Sequence, residues 1–328
     1  MNIKDLSNFY VGQTPGTAIY VGSTKVWPVE AGLLNYNLLY KSSSNAKLTP
    51  TKPARCNATI ATNTYSNGLG IITFNGELTS IDGAISGANG FWYDESRLTW
   101  VQLPDTLVTL GNWSFRQTNK LGEVILGKRL KTIGKECFYN CTNLKTIHIQ
   151  SPIESIGTQC FYRSSGSITS LYVDKLEYFC GITFGDMNSN PLRYGANLYV
   201  NNQLVTDLVY PNLSKVNDYS FYMSKLTSVT IPDSVTTIGK SAFYNNTSLT
   251  TATIGEGVTE IGNYAFQACS NLTSVYCKAK TPPSLGNSAF SSNEASRKIY
   301  VPMESVDAYK TETYWSAYAD DIIGYNFE

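Results

Sequence analysis

The chain of 328 residues carries 25 basic and 25 acidic side chains, so its formal net charge is zero, and only 15% of its residues are charged. It lacks the positive field that draws proteins onto phosphate backbones, and nucleic acid is not an expected partner. A single histidine, His148, excludes multi-histidine metal sites, and without an apolar run of about 18 residues no membrane-spanning helix is expected.

Residues 1–69 follow no repeat. The N-terminus has no basic segment leading into a continuous apolar stretch, so it is not expected to act as a secretory signal. TAIYVGSTKVW alternates like a strand around Gly22, and a stretch rich in Asn, Ser, Thr and Lys follows through Lys52. Residues 70–97 read as an N-terminal cap in which Ile71, Phe74, Leu78 and Ile81 close the first coil, since terminal repeats are atypical.

A 23-residue period then takes over. Leu98, Leu121 and Leu144 stand in register, as do Phe115, Phe138 and Phe161, and Ile168 opens the next copy one residue late. Residues 174–204 interrupt the rhythm and predict a larger coil or a hairpin. The beat resumes at Leu208 and Phe221 and is clearest from 226 to 290, where Leu226, Leu249 and Leu272, Ile238 and Ile261, and Phe243 and Phe266 repeat, with Phe290 one residue late. Within a copy, Leu-x-x-Val-x-Ile has the period of a short strand, Gly239 and Gly262 turn the chain, and the phenylalanine plugs the coil.

A unit this short buries its apolar ridge only against its neighbours, so the pattern predicts a solenoid of about eight coils, with a sheet on the order of 40 Å long at about 4.8 Å per strand. After the last coil, KIYVP at 298–302 reads as a closing strand. ESVDAYKTETYWSAYADDI reads as an amphipathic helix that covers the open end with Val306, Tyr309, Trp315 and Tyr318.

The seven cysteines follow the repeat rather than any pairing or metal-ligand spacing. Cys137 and Cys160 fill the small slot taken elsewhere by Ala242, Ala265 and Ala289. Cys141 and Cys269 stand three residues after the plug, where other copies have Thr118, Ser164, Ser224 and Asn246. Structural free thiols are expected, Cys56, Cys180 and Cys277 among them. GDMNSNP begins like a calcium loop, but Pro191 replaces the glycine and Asn197 the bidentate glutamate, so it reads as a turn. No phosphate loop, dinucleotide fingerprint or nucleophile elbow is present, and no metal, cofactor or catalytic residue is expected.

The copies at 226–290, with their L-x-x-V-x-I, I-G and A-F elements, resemble BspA-type leucine-rich repeats, and degenerate copies extend the likeness over about two thirds of the chain. The resemblance implies an α+β repeat solenoid of short stacked strands, with a small N-terminal β-rich segment and a C-terminal helical cap. The expected division is an anchoring segment at 1–69, a cap at 70–97, the solenoid at 98–291 with its insertion, and a strand and helix cap at 292–328. Proteins of this type are usually exported surface proteins. The phrase YVGSTKVW at 20–27 resembles one near the start of tail and appendage proteins of gut bacteriophages.

Function is therefore sought on a surface. The outward strand positions line up from coil to coil: Trp100 and Gln102, Glu123 and Ile125, Thr146 and His148, Ser170 and Tyr172. The later half of this face is small and hydroxylic, with Ser228, Thr230, Thr251, Thr253, Ser274 and Tyr276. The expected protein is a non-enzymatic virion component, a tail or capsid appendage, displaying the repeat to a host-surface glycan or protein. Other virion or surface proteins are expected on its N-terminal segment, and further copies of the chain beside it. The alternative is a bacterial cell-surface adhesin binding host matrix proteins or other bacteria.

Overall fold

The computed structural model describes residues 36–82, 91–92, 95–164 and 168–327, together with the backbones of Tyr20–Val21 and Thr24–Lys25. Those two short strands pair antiparallel, Val21 opposite Thr24. The remainder of the 20–27 phrase lies outside the described residues.

The 23-residue period becomes ladders of short parallel strands. In the first long sheet, Leu98–Gln102, Glu123–Ile125, Thr146–Ile149, Ser170–Val173 and Asn197–Val200 run side by side. Val101, Val124, Ile147, Leu171 and Leu198 fall opposite one another and are buried. A second long sheet holds Asp207–Val209, Ser228–Ile231, Thr251–Ile254, Ser274–Cys277 and Lys298–Pro302. Each coil also adds a two-residue strand, such as Thr132–Ile133 or Thr237–Ile238, to one of two shorter parallel sheets. Register is fixed by the side-chain alternation, since a slip of one residue would turn every buried aliphatic to solvent.

Between the ladders the plug phenylalanines stack. Phe115–Phe138 and Phe138–Phe161 lie with ring centroids 5.2 and 5.6 Å apart and nearly parallel, and Trp92 begins the column. Phe221, Phe243, Phe266 and Phe290 form a second column at 4.9 to 5.4 Å. After six of the seven phenylalanine plugs the residue three positions on donates to the plug carbonyl of the preceding coil: Thr118 to Trp92, Cys141 to Phe115, Ser164 to Phe138, Asn246 to Phe221, Cys269 to Phe243 and Asn293 to Phe266, while Ser224 donates to Asn246 Oδ1. That slot needs a short donor, which is why Thr, Cys, Ser and Asn interchange there.

The turn around each plug is left-handed at two points. Residues two before the plug (Trp113, Glu136, Gln159, Tyr219, Ser241, Tyr264, Ser288) and two after it (Gln117, Asn140, Arg163, Met223, Asn245, Ala268, Ser292) all have φ between 51° and 63°. None is glycine. Each such residue costs roughly 1–2 kcal/mol as a left-handed conformer, which the stacking and the cross-coil hydrogen bonds must offset.

Several expectations meet a different structure. The predicted boundary at residue 69 falls inside an antiparallel hairpin, Thr59–Ser66 with Leu69–Asn75. Leu38–Ser42 joins that hairpin to Leu98–Gln102, so residues 38–75 extend the first long sheet. Ile72, Leu78 and Ile81 are buried and Phe74 packs against the core. Ile71 lies on the opposite side, because side chains on a strand alternate and Ile71 cannot share a face with Phe74.

The insertion is both a larger coil and a hairpin. A helix, Leu176–Cys180, and two 3-10 turns lead into Asn197–Val200, which continues the ladder. Gln203–Leu204 then folds back antiparallel onto that strand and fills its outer edge. The ladder therefore breaks into two sheets there instead of running as one. Among the described residues eleven parallel rungs result where about eight coils and a closing strand at 298–302 were expected; the added ones are Asn197–Val200 and Ile322–Tyr325.

At the C-terminus Tyr309 and Trp315 are fully buried, and Val306 and Tyr318 pack partly against the core. Trp315 Nε1 donates to the Pro283 carbonyl at 2.7 Å and Tyr309 Oη to that of Ala279 at 2.7 Å. The expected single helix is instead Val306–Thr311 followed by a 3-10 segment, Trp315–Asp321, because Tyr314 turns left-handed at φ 63°. An unanticipated strand, Ile322–Tyr325, then adds parallel to Lys298–Pro302.

Candidate functional site

The eight outward positions come together as two rows on the first long sheet. Trp100, Glu123, Thr146 and Ser170 are successive partners in one row, and Gln102, Ile125, His148 and Tyr172 in the other. All eight are half-buried, as expected of side chains standing side by side on a ladder at about 4.8 Å spacing.

The rows extend further than the sequence suggested. Asn197 continues the first and Tyr199 the second, and Lys41 opposes Trp100 at the antiparallel end. Lys41 Nζ sits 5.1 Å from the Trp100 ring centroid, a cation–π contact. His148, Tyr172 and Tyr199 form one column, with centroids 4.9 and 4.7 Å apart and planes within 16°. Tyr199 lay inside the apparent interruption, although the triplet Leu-Tyr-Val at 171–173 recurs at 198–200 and marks the same strand.

Stacking spends the ring faces on one another, so the column presents its edges and phenol oxygens. His148 Nε2 lies 3.0 Å from Glu123 Oε1, but off the N–H axis, so the two are paired by charge only when the imidazole is protonated. The face thus offers polar edges, one carboxylate and one imidazole in fixed positions. On the second long sheet Ser228, Thr251 and Ser274 align, as do Thr230, Thr253 and Tyr276. Tyr276 stacks on Tyr300 at 4.7 Å, and Tyr325 packs edge-on against both. Asp207 opens this face; hydrogen bonds from Ser228, Thr227 and Thr206 hold its carboxyl below the usual carboxylate range.

Asp186, the first residue of the calcium-like loop, spends its carboxylate on the backbone amides of Asn188 and Gln159. Among the described residues no cluster of three or more His, Cys, Asp and Glu side chains has a metal-holding arrangement. No helix among them is long and apolar enough to cross a membrane.

All seven cysteines are free thiols, and six are buried. Burial pushes the thiols of Cys141 and Cys269 up to about 12 and that of Cys277 to about 11. The half-buried Cys56 is also pushed up to about 12, by desolvation first and the nearby Asp82 charge second. Since the thiolate is the reacting species, a disulfide reagent at about pH 8 should titrate less than one thiol in the native protein. All seven should react after unfolding in guanidinium. Rapid native labelling of two or more would contradict this packing.

The model of the BspA type leucine rich repeat region matches residues 58–189 and 193–317, in six copies. Among solved structures, a leucine-rich repeat protein from Eubacterium ventriosum is similar, with 19% identity and TM-score 0.39 over 79% of this chain and 78% of that one. One from Bacteroides ovatus has 18% identity and TM-score 0.32, covering 80% and 72%. A leucine rich cell surface protein from Faecalibacterium prausnitzii has 19% identity and TM-score 0.27, covering 74% and 86%. No curated protein matches the sequence. With parallel ladders, stacked plugs and a family match over well more than half of its length, the chain belongs to the BspA-type leucine-rich repeat family.

Proposed function

We propose that the chain is a non-enzymatic binding and structural protein: a solenoid, closed by its C-terminal helical segments, that displays the outer face of its first long sheet to a host-surface protein or glycan. The observation that carries this reading is the double row from Trp100 to Tyr199, held in register by five parallel strands. A fixed array of edges and hydroxyls suits docking of a macromolecular surface, where aromatic anchors supply most of the affinity and many weak contacts add when copies are clustered. The protonated, buried thiols support a body built for packing instead of nucleophilic chemistry.

The face is tested by binding of the fluorescently labelled protein to host cells. Tyr172→Ala combined with Tyr199→Ala should weaken binding at least about tenfold, the loss of two interface anchors, while leaving the circular dichroism spectrum unchanged. Undiminished binding by a folded double variant would move the docking site elsewhere.

The location we favour is a bacteriophage virion, as a tail or capsid appendage attached through the N-terminal segment. The support is the YVGSTKVW phrase at 20–27. A bacterial cell-surface protein is the second reading, and it rests on family membership. An antibody against residues 1–69, used on purified particles and on envelope fractions, separates the two. Recovery in particles supports the appendage, and recovery only in the envelope supports the surface protein.

A further inference from the structure

A second ordered strip lies away from the strand face, on the turns that lead from each short strand to the next long one. The residue directly after the plug is Arg116, Tyr139, Tyr162, Tyr222 and Tyr244 in the first five of the seven phenylalanine-plugged coils, with Arg193 of the insertion between the third and fourth. These side chains form two contact groups, Arg116–Tyr139–Tyr162 and Arg193–Tyr222–Tyr244. The Arg116 guanidinium lies 4.5 Å from the Tyr139 ring centroid, Tyr139 is 5.7 Å from Tyr162, Arg193 is 5.7 Å from Tyr222, and Tyr222 stacks on Tyr244 at 4.9 Å. Arg163 stands over both Tyr139 and Tyr162 at 5.9 Å.

The charges of this strip are not balanced within the fold. Glu136 pairs with Arg116 and Lys135. Asp186 and Asp218 accept from backbone amides of Gln159 and Lys240. Arg163 and Arg193 form no ion pair among the described residues, and Arg193 Nη1 is buried without a hydrogen-bond acceptor. In a chain of zero net charge this leaves a local basic excess flanked by phenol rings, of which Tyr162 is 38% exposed. The guanidinium fork is complementary to a carboxylate, and phenol rings with their hydroxyls are complementary to sugar rings.

From this geometry we infer that the strip binds an acidic polysaccharide, a uronate polymer lying along the coil axis, whose carboxylates meet Arg163 and Arg193 and whose sugars pack against the exposed Tyr162. Sites repeat at the coil pitch, about 4.8 Å, so a polymer with a carboxylate on many of its units engages several coils at once. Two uncompensated cations are too few for the dense charge of a nucleic acid, whose binding scales with the number of phosphates neutralised.

The test is retention of the full chain on immobilised polygalacturonate and hyaluronate, with dextran as the neutral polymer. Retention is expected on at least one acidic polymer and not on dextran, and it should fall as salt is raised. Arg163→Gln with Arg193→Gln should weaken it about tenfold or more, the loss of two charge-assisted contacts. If the Arg193 change unfolds the protein, Arg163→Gln alone, on an exposed side chain, should still weaken binding by about threefold or more. The Tyr172→Ala, Tyr199→Ala variant should bind these polymers unchanged, so failure of this strip and failure of the strand-face reading are separable. No retention on either acidic polymer, equal retention on dextran, undiminished retention of a folded arginine variant, or equal affinity for single-stranded DNA would each overturn the assignment.

Discussion

Phe243→Ala should cost about 3–5 kcal/mol of unfolding free energy, the range for emptying a fully buried phenylalanine site. The ring is fully buried and stacks on Phe221 at 5.4 Å and on Phe266 at 4.9 Å, so one truncation strips a face from two further rings. Relaxation cannot close the hole, because both neighbours are held by their own coils. Ala242, next to it, already fills the small slot, and Cys269 Sγ donates to the Phe243 carbonyl at 3.1 Å, fixing the backbone on that side. Equilibrium urea unfolding measures the loss as a lower midpoint; an unchanged midpoint would mean that the plug column contributes little.

Gly134→Val should destabilise by about 3 kcal/mol or more, at the upper end of overpacking changes. A Cβ at Gly134 would stand 2.4 Å from the backbone nitrogen of Asn112 and 2.5 Å from the carbonyl carbon of Gly111. Those are main-chain atoms of the preceding coil. No rotamer change relieves the contact, and two coils must separate to admit the side chain. Their ladder would separate with them, Thr132 from Thr109 and Ile133 from Leu110. Calorimetry should show both a lower transition temperature and a broader transition; a variant melting within a degree of the parent would show that the coils are less tightly apposed than 2.4 Å implies.

Where the sequence repeats, the structure was readable from it. Leu226, Leu249 and Leu272, and the plugs Phe243 and Phe266, are buried in the same role in every copy, because each coil meets the same neighbour. Even the late Phe290 has a local cause. Cys277 is 23 residues from its partner Ile254, but Ser284 is 24 from Glu260, so the extra residue is absorbed between 278 and 283. The outward positions followed from the same alternation, which is why all eight fell into two rows.

The unreadable parts are those where a coil meets something other than a coil. At the N-terminal end, Leu38–Ser42 and the Thr59–Asn75 hairpin bind antiparallel, and nothing in a parallel repeat specifies that partner. Tyr40 buries its ring there, with its hydroxyl accepting from Leu48 N at 3.0 Å, a contact between residues with no periodic relation to the copies. Tyr199 was hidden by the loop chemistry before it, where Asn190 is fully buried and donates to the Tyr219 and Ser220 carbonyls. The C-terminal segment has helical spacing throughout, yet burial of Trp315 against Phe290 and Pro283 takes precedence over helix continuity at Tyr314.

The break between the two long sheets gives the molecule a mechanical weak point. Everywhere else along its axis, neighbouring coils are tied by rows of backbone hydrogen bonds that share a pulling load. Among the described residues, the junction is crossed by side chains instead: Tyr210 and Asn217 reach Cys180 and Ile182, Asn190 reaches back the other way, and Phe179 meets Phe221 edge-on at 5.6 Å. Tension applied to the two ends loads those few bonds one after another, so the protein parts at this joint into a front block and a rear block before either block unravels. The joint thus absorbs the first jolt and spares the ladders on either side of it.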